Sequence, residues 1–183
     1  MKLLKTLAFS AALALTSFAA NADTFNFSYT FDDTSVLTGS LTGVLNGLFI
    51  NNVADIHVSL NGNEFTGAPL YAAAWDAANL AWDNSVAPVI STKASLNNFI
   101  IADANVPTDF GVSNYFFFTN DGTNGAQVFA NNLNTGDIAL DNPSNANNTN
   151  WSITAAPVPE PETYAMLLAG LGFLGALVRR RQA

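Results

Sequence analysis

The sequence predicts an all-β domain, an antiparallel β-sandwich or jelly-roll-like fold, held between two hydrophobic termini. Three observations lead there. Phe25-Asn-Phe27-Ser-Tyr29-Thr-Phe31 alternates aromatic and polar residues without a break, the period of a strand with one buried face. Turn signals recur at short intervals, at Asp32 to Ser35, Asn61-Gly62 and Asn120 to Gly125. Between them no stretch shows an apolar period of 3.6 sustained over helical length. Roughly eight to ten short strands of this kind suit two packed antiparallel sheets, Ig-like or lectin-like in class.

Taken in order, Phe25 to Phe31 is the first strand. Asp32 to Ser35 turns the chain, and Val36 to Val44 is a weaker second strand interrupted by Gly39 and Gly43. Ile56-His-Val58-Ser-Leu60 alternates again, and Asn61-Gly62 is a strong two-residue hairpin signal, with a return through Glu64-Phe65-Thr66. Tyr71 to Trp82 is Ala-rich and admits either a short helix or a strand, loop, strand return. The second is preferred because Trp75-Asp76 and Trp82-Asp83 sit among aromatics and turn residues. Val86 to Thr92, Asn98 to Ala102, Tyr115 to Thr119, Gln127 to Ala130 and Trp151 to Thr154 complete the set, the last as a closing edge strand. Asp141 to Asn150 reads as a polar low-complexity loop, and Ala155 to Pro161 as a proline-spaced tether.

The two ends are addresses rather than parts of the fold. Met1 to Lys5 is basic, Leu7 to Phe18 is apolar, and Ala20-Asn21-Ala22 is a small-x-small cleavage site. An N-terminal signal peptide helix over 1–22 is therefore expected, with the mature chain starting at Asp23. At the other end stand Val158, Pro159, Glu160, Pro161 and Glu162, then the uncharged run Ala165 to Val178, then Arg179, Arg180 and Arg181. The prolines fix φ and donate no hydrogen bond, which keeps the two glutamates on an extended, accessible backbone. A short transmembrane helix follows. It is a marginal span, because its length falls below the roughly 20 residues a stable one prefers. The arginines support it by reaching the headgroups and, by the positive-inside tendency, stay cytoplasmic. A buried apolar helix would account for the run alone but not for its ordered flanks. The division is thus 1–22 signal peptide, 23–156 exodomain and 157–183 tail.

From Pro157 to Arg181 the chain closely resembles the PEP-CTERM sorting tail of Gram-negative bacterial exoproteins. The resemblance implies an exosortase-type protease as partner, a transient stay in the inner membrane, and a final place on the cell surface or in the extracellular matrix. It also implies association with exopolysaccharide in a biofilm. The segment is sometimes termed an ice-binding-protein C-terminal domain, but no Thr-x-Thr array here supports ice binding. The pattern from Phe25 to Asp33, with Val58 to Asn63, is similar to small exoproteins that carry such tails.

Charge narrows the function of the domain itself. With Lys2 and Lys5 in the signal and the arginines in the tail, Lys93 is its sole basic residue against twelve acids, a net charge of −11. Nucleic acid is excluded as a partner, since no cationic surface exists to displace counterions. The absence of cysteine removes thiolate metal sites, Cys nucleophiles and redox motifs. His57 is the only histidine and lies on the polar side of its strand, without a Gly-x-Ser-x-Gly elbow to serve. Asp76, Asp83, Asp103 and Asp109 fall near aromatics and could supply a glycosidase pair, though turn solvation explains the same residues. No cofactor is expected. Calcium is the one ion the loops could hold, through Asp121 with Asn120, Thr123 and Asn124, or through Asp137 and Asp141. Asn26, Asn147 and Asn150 open glycosylation sequons that a bacterium usually leaves silent. The favoured expectation is a non-enzymatic surface or matrix protein. The alternative is a carbohydrate-active enzyme or a calcium-dependent glycan-binding module on the same scaffold.

Overall fold

The computed structural model describes residues 22–103, 110–120, 126–141 and 150–157, together with 168, 170 and 171. The signal segment up to Asn21, the motif from Val158 to Glu162, the three arginines, and Asp109, Asp121, Thr123, Asn124 and Asn147 lie outside these residues.

Two six-stranded antiparallel sheets make up the described domain. The first contains β1 (Asp23–Thr30), β2 (Val36–Asn46), β3 (Phe49–Leu60), β4 (Asn63–Glu64), β7 (Ile90–Ser91) and β12 (Trp151–Ala155), in the order β12-β1-β2-β3-β4, with β7 paired to β3. The second contains β5 (Tyr71–Asp76), β6 (Ala81–Asp83), β8 (Asn98–Ala102), β9 (Tyr115–Asn120), β10 (Ala126–Asn132) and β11 (Asp137–Asp141), in the order β11-β10-β9-β8-β5-β6. The β-sandwich expected from the alternation is thus the fold observed.

The alternation of β1 works as its pattern requires. Phe25, Phe27 and Tyr29 point inward with Leu37, Leu41, Val58 and Leu60 of the same sheet, and meet Phe99, Ile101, Phe116, Phe118 and Val128 of the other in one core. Trp151 closes this core from the edge. Its ring centroid lies 5.8 Å from Phe27, 5.9 Å from Phe99 and 5.7 Å from Phe118, and its Nε1–H donates to the Ser91 carbonyl at 2.9 Å. The Asn61-Gly62 turn is also as expected. Both residues have positive φ, +52° and +80°, as a type I′ hairpin demands.

Several elements differ from the sequence reading. The region from Val36 to Leu60 is one long hairpin, whose middle carries no strand signal in the sequence because Asn51, Asn52 and Asp55 break the apolar alternation. Asn52 and Asp55 adopt positive φ, and the ladder shifts register between Ser40 and Val44. Irregular pairing of this kind tolerates polar residues that a regular strand would not. The return after Gly62 is only Asn63–Glu64, and the stretch Val86 to Thr92 contracts to Ile90–Ser91. Strand β11 covers residues to which the sequence assigns no element and takes in Asp141, the expected start of the polar loop. Tyr71 to Trp82 takes the strand, loop, strand form.

Gly39 shows how closely the first sheet is packed. It faces Phe27 in register, and a Cβ there would overlap both the end of the Phe27 ring and the carbonyl oxygen of His57. The backbone oxygen cannot yield without disturbing the β2–β3 ladder. Gly39→Ala is therefore expected to cost about 1–3 kcal/mol, the usual range for overpacking. The urea midpoint of the folded chain checks this, and an unchanged midpoint would refute the account.

Candidate functional site: the outer aromatic face

Strand β9 opens with four successive aromatics, Tyr115-Phe116-Phe117-Phe118, so over this stretch it cannot bury one face and wet the other. Phe116 and Phe118 enter the core between the sheets. Tyr115 and Phe117 consequently stand on the outer face of the second sheet, and the strand register puts a row of apolar partners beside them. Leu140, Phe129, Phe117, Ile100 and Ala73 follow one another across five strands. The rings of Tyr115, Phe117 and Phe129 are parallel to within 12°, with centroids 5.3–6.4 Å apart.

The β5–β6 hairpin extends this face. Trp75 and Trp82 are cross-strand partners with centroids 5.3 Å apart, and Trp82 lies 5.6 Å from Phe117. Pairing between β5 and β8 stops at Ala73, and the side chain of Asn98 takes over. Its Oδ1 accepts from the Trp75 N–H at 3.0 Å, and its Nδ2 donates to the Trp75 carbonyl at 2.9 Å. One amide thus fixes the hairpin that carries both tryptophans. Tyr115 is buried, and burial pushes its phenol above the usual tyrosine range, so it stays protonated. Trp75, Trp82, Phe117 and Phe129 are half-buried, while Tyr71, Leu140 and Ile138 are 46%, 47% and 61% exposed. None of these residues carries a charge. Ile100, Ala73 and Tyr115 are themselves buried beneath this layer, and the half-buried and exposed members around them leave apolar surface that a monomer rarely keeps without a use.

The opposite sheet presents a different surface. Asn26, Ser28, Thr38, Ser40, Ser59, Ser152 and Thr154 surround a shallow depression of about 530 Å³ together with His57. His57 is exposed, as expected, and its Nδ1 lies 3.0 Å from Glu64 Oε1. The Glu64 carboxylate itself lies outside the lining of this hollow.

The acids weighed from the sequence that lie among the described residues accept hydrogen bonds from their neighbours. Asp76 Oδ1 accepts from the N–H groups of Ala78 and Asn79, and Oδ2 from Asn79 Nδ2 at 2.6 Å. The Asn79 side chain first, then the Ala78 N–H, holds the Asp76 carboxyl below its ordinary range. Any contribution this turn makes to stability is present above the unfolded carboxyl pKa and is lost as pH falls through the folded one. Asp83 accepts from the Ser85 N–H, and Asp103 from both the backbone and side chain of Asn114. Asp141, considered as an ion ligand, is fully buried. Its two oxygens accept from the Tyr29 hydroxyl at 2.9 Å and the Asp32 N–H at 3.1 Å, fastening β11 to the far end of β1. Asp137 accepts from the Thr135 hydroxyl, and Asn120 donates to the Ser95 carbonyl. Among the described residues no three of His, Cys, Asp and Glu gather as metal ligands would.

The structure also shows where the tail departs. Ala155 pairs with Phe25, and the Ala156 N–H donates to the Thr24 carbonyl at 2.7 Å, so Pro157 leaves beside Asp23. Residues 157–182 match the family model of the PEP-CTERM protein-sorting motif. The chain carries a PEP-CTERM sorting tail. This tail implies processing by a membrane exosortase and export to the cell surface or extracellular space. Comparison with curated proteins and with solved structures finds no match. Among the described residues no helix is long and apolar enough to cross a membrane, and the apolar run of the sorting tail falls almost wholly outside them.

Proposed function

We propose that the exodomain is a non-enzymatic matrix protein that holds neutral exopolysaccharide on the outer face of its second sheet. The parallel rings of Tyr115, Phe117 and Phe129, with Trp82 beside them, are the observation that carries this reading. Sugar rings expose C–H-lined faces that pack on aromatic surfaces, and several rings along one face of the sheet suit successive residues of a polymer. The domain's charge of −11 repels uronate-bearing chains and leaves neutral ones favoured. A role without catalysis is supported by the hydrogen bonds that tie Asp76, Asp83 and Asp103 into turns and strand ends. Exosortase processing at the inner membrane would deliver the domain to the matrix where such polymers lie.

Affinity electrophoresis in neutral and uronate-containing polysaccharides, including the producer's own, tests the proposal. Retardation by a neutral polymer is expected, with a loss of about tenfold or more in the Trp82→Ala, Phe117→Ala double variant, as two lost stacking contacts of about 1 kcal/mol each suggest. His57→Ala, on the opposite sheet, should bind as wild type. Undiminished retardation of the double variant rejects the site. Abolition of binding by a calcium chelator would instead support the calcium-dependent module.

A further inference from the structure

We propose that the tip of the β2–β3 hairpin dips into the lipid headgroup region and seats the exodomain on the bilayer while the tail is still anchored. The inference rests on the reading of the tail as a membrane-held intermediate.

The geometry begins with the termini. Asp23 opens β1 opposite Gly43 of β2, and the sorting tail leaves at Pro157 beside Thr24, so both membrane-directed ends are at one end of the sandwich. At that same end β2 runs three residues past Gly43 to Asn46 and turns at Gly47-Leu48. Gly47 has φ of +63°, the left-handed conformation that a type II′ turn needs at its first central position. The hairpin therefore projects toward whatever surface the tail is held in.

Its chemistry suits lipid. Leu45 and Leu48 are 46% and 47% exposed, Val44 and Phe49 are exposed beside them, and no charged residue occurs between Asp33 and Asp55. The tip is also braced. The Leu48 carbonyl accepts from the Thr92 N–H at 2.9 Å and the Ser91 hydroxyl at 3.0 Å, so no ordering cost remains to be met on insertion. Next to Thr92 stands Lys93, exposed and the only Lys or Arg of the exodomain, on a domain otherwise acidic throughout. An apolar tip with one flanking cation is the arrangement that buries aliphatic groups below the headgroups and lets an ammonium reach a phosphate.

Four aliphatic or aromatic side chains bind a bilayer weakly on their own. The tether changes that. Pro157 to Tyr164 is eight residues and spans at most about 29 Å even when fully extended. An anchored domain therefore meets the surface at an effective concentration in the millimolar range. Once the tail is cut that advantage vanishes and the domain leaves.

The absence of cysteine makes the test direct. Full chain carrying Leu48→Cys or Ser35→Cys, each labelled with an environment-sensitive fluorophore, is reconstituted with phosphatidylcholine vesicles and floated. Ser35 sits in the β1–β2 turn at the opposite end of the sandwich. The Leu48 probe is expected to shift to the blue and to be quenched severalfold by a lipid-borne quencher, while the Ser35 probe stays solvent-like. If the protein floats but the Leu48 probe remains in water, the hairpin inference falls and membrane anchoring stands. Failure to float overturns both. A blue shift without vesicles means that a second copy covers the tip, and the inference falls.

Discussion

Replacing Arg179, Arg180 and Arg181 together by Glu is expected to abolish processing of the tail. The run from Ala165 to Val178 is short for a span, so it depends on its flanks. Each arginine near the anionic cytoplasmic leaflet contributes on the order of 1 kcal/mol, and reversing three charges also removes the positive-inside signal. The chain should then reach the medium uncut or be degraded. Pro159→Ala with Glu160→Ala should have a different result, because the anchor survives while the extended acidic element before it does not. That variant should remain in the membrane fraction with its tail intact. Cell fractionation and intact mass separate the two results. Wild-type yield and wild-type mass for both variants would contradict the sorting role.

The second large effect concerns Trp151. Truncation to Ala empties the space between Phe27, Phe99, Phe116 and Phe118 and leaves the Ser91 carbonyl without its indole donor. Losses of about 3–5 kcal/mol accompany Trp→Ala in a core. Against a total stability of about 5–15 kcal/mol this leaves a marginal domain. Because Trp151 begins β12, the edge strand that leads into the tail, fraying there should also expose the tether to proteases. Urea unfolding of Trp151→Ala beside Trp82→Ala gives the comparison. The core substitution should lower the midpoint far more than the surface one, and equal midpoints would show that Trp151 does not close the core.

Much of the fold was legible because period-2 alternation is a local property. Phe25 to Phe31 and Trp151 to Thr154 carry it and lie in strands, while Asn98 to Ala102 is a strand marked by a short unbroken apolar run instead. Asn61-Gly62 announced its turn through residues that alone accept positive φ without cost. Strand β11 was not legible for a physical reason. Its buried positions hold Ala139 and Asp141, with Asp137 half-buried at its start, and its outward positions hold Ile138 and Leu140, so its alternation runs opposite to the usual one. Asp141 belongs inside because the Tyr29 hydroxyl and the Asp32 N–H, both more than a hundred residues earlier, satisfy its two oxygens.

The candidate site had one local signal, the four successive aromatics of β9. A strand apolar on both sides states that its second face is also covered or used. What a single strand cannot state is which residues stand next to it. Phe129 and Trp82 join Tyr115 and Phe117 through the register of β10 and through the Asn98 amide, and register is a relation between distant segments.

By itself, the sequence determined the C-terminal address and the class of the fold, since hydrophobic length, flanking charge and alternation act within a few residues of one another. Only the tertiary structure decided that the two ends of the described domain lie side by side, that the uncharged hairpin of β2 and β3 projects from that same end, and that five rings from four strands share one outer face. Each of these depends on antiparallel pairing between segments far apart in the chain, where the free energy comes from a common core and no local pattern records the partner.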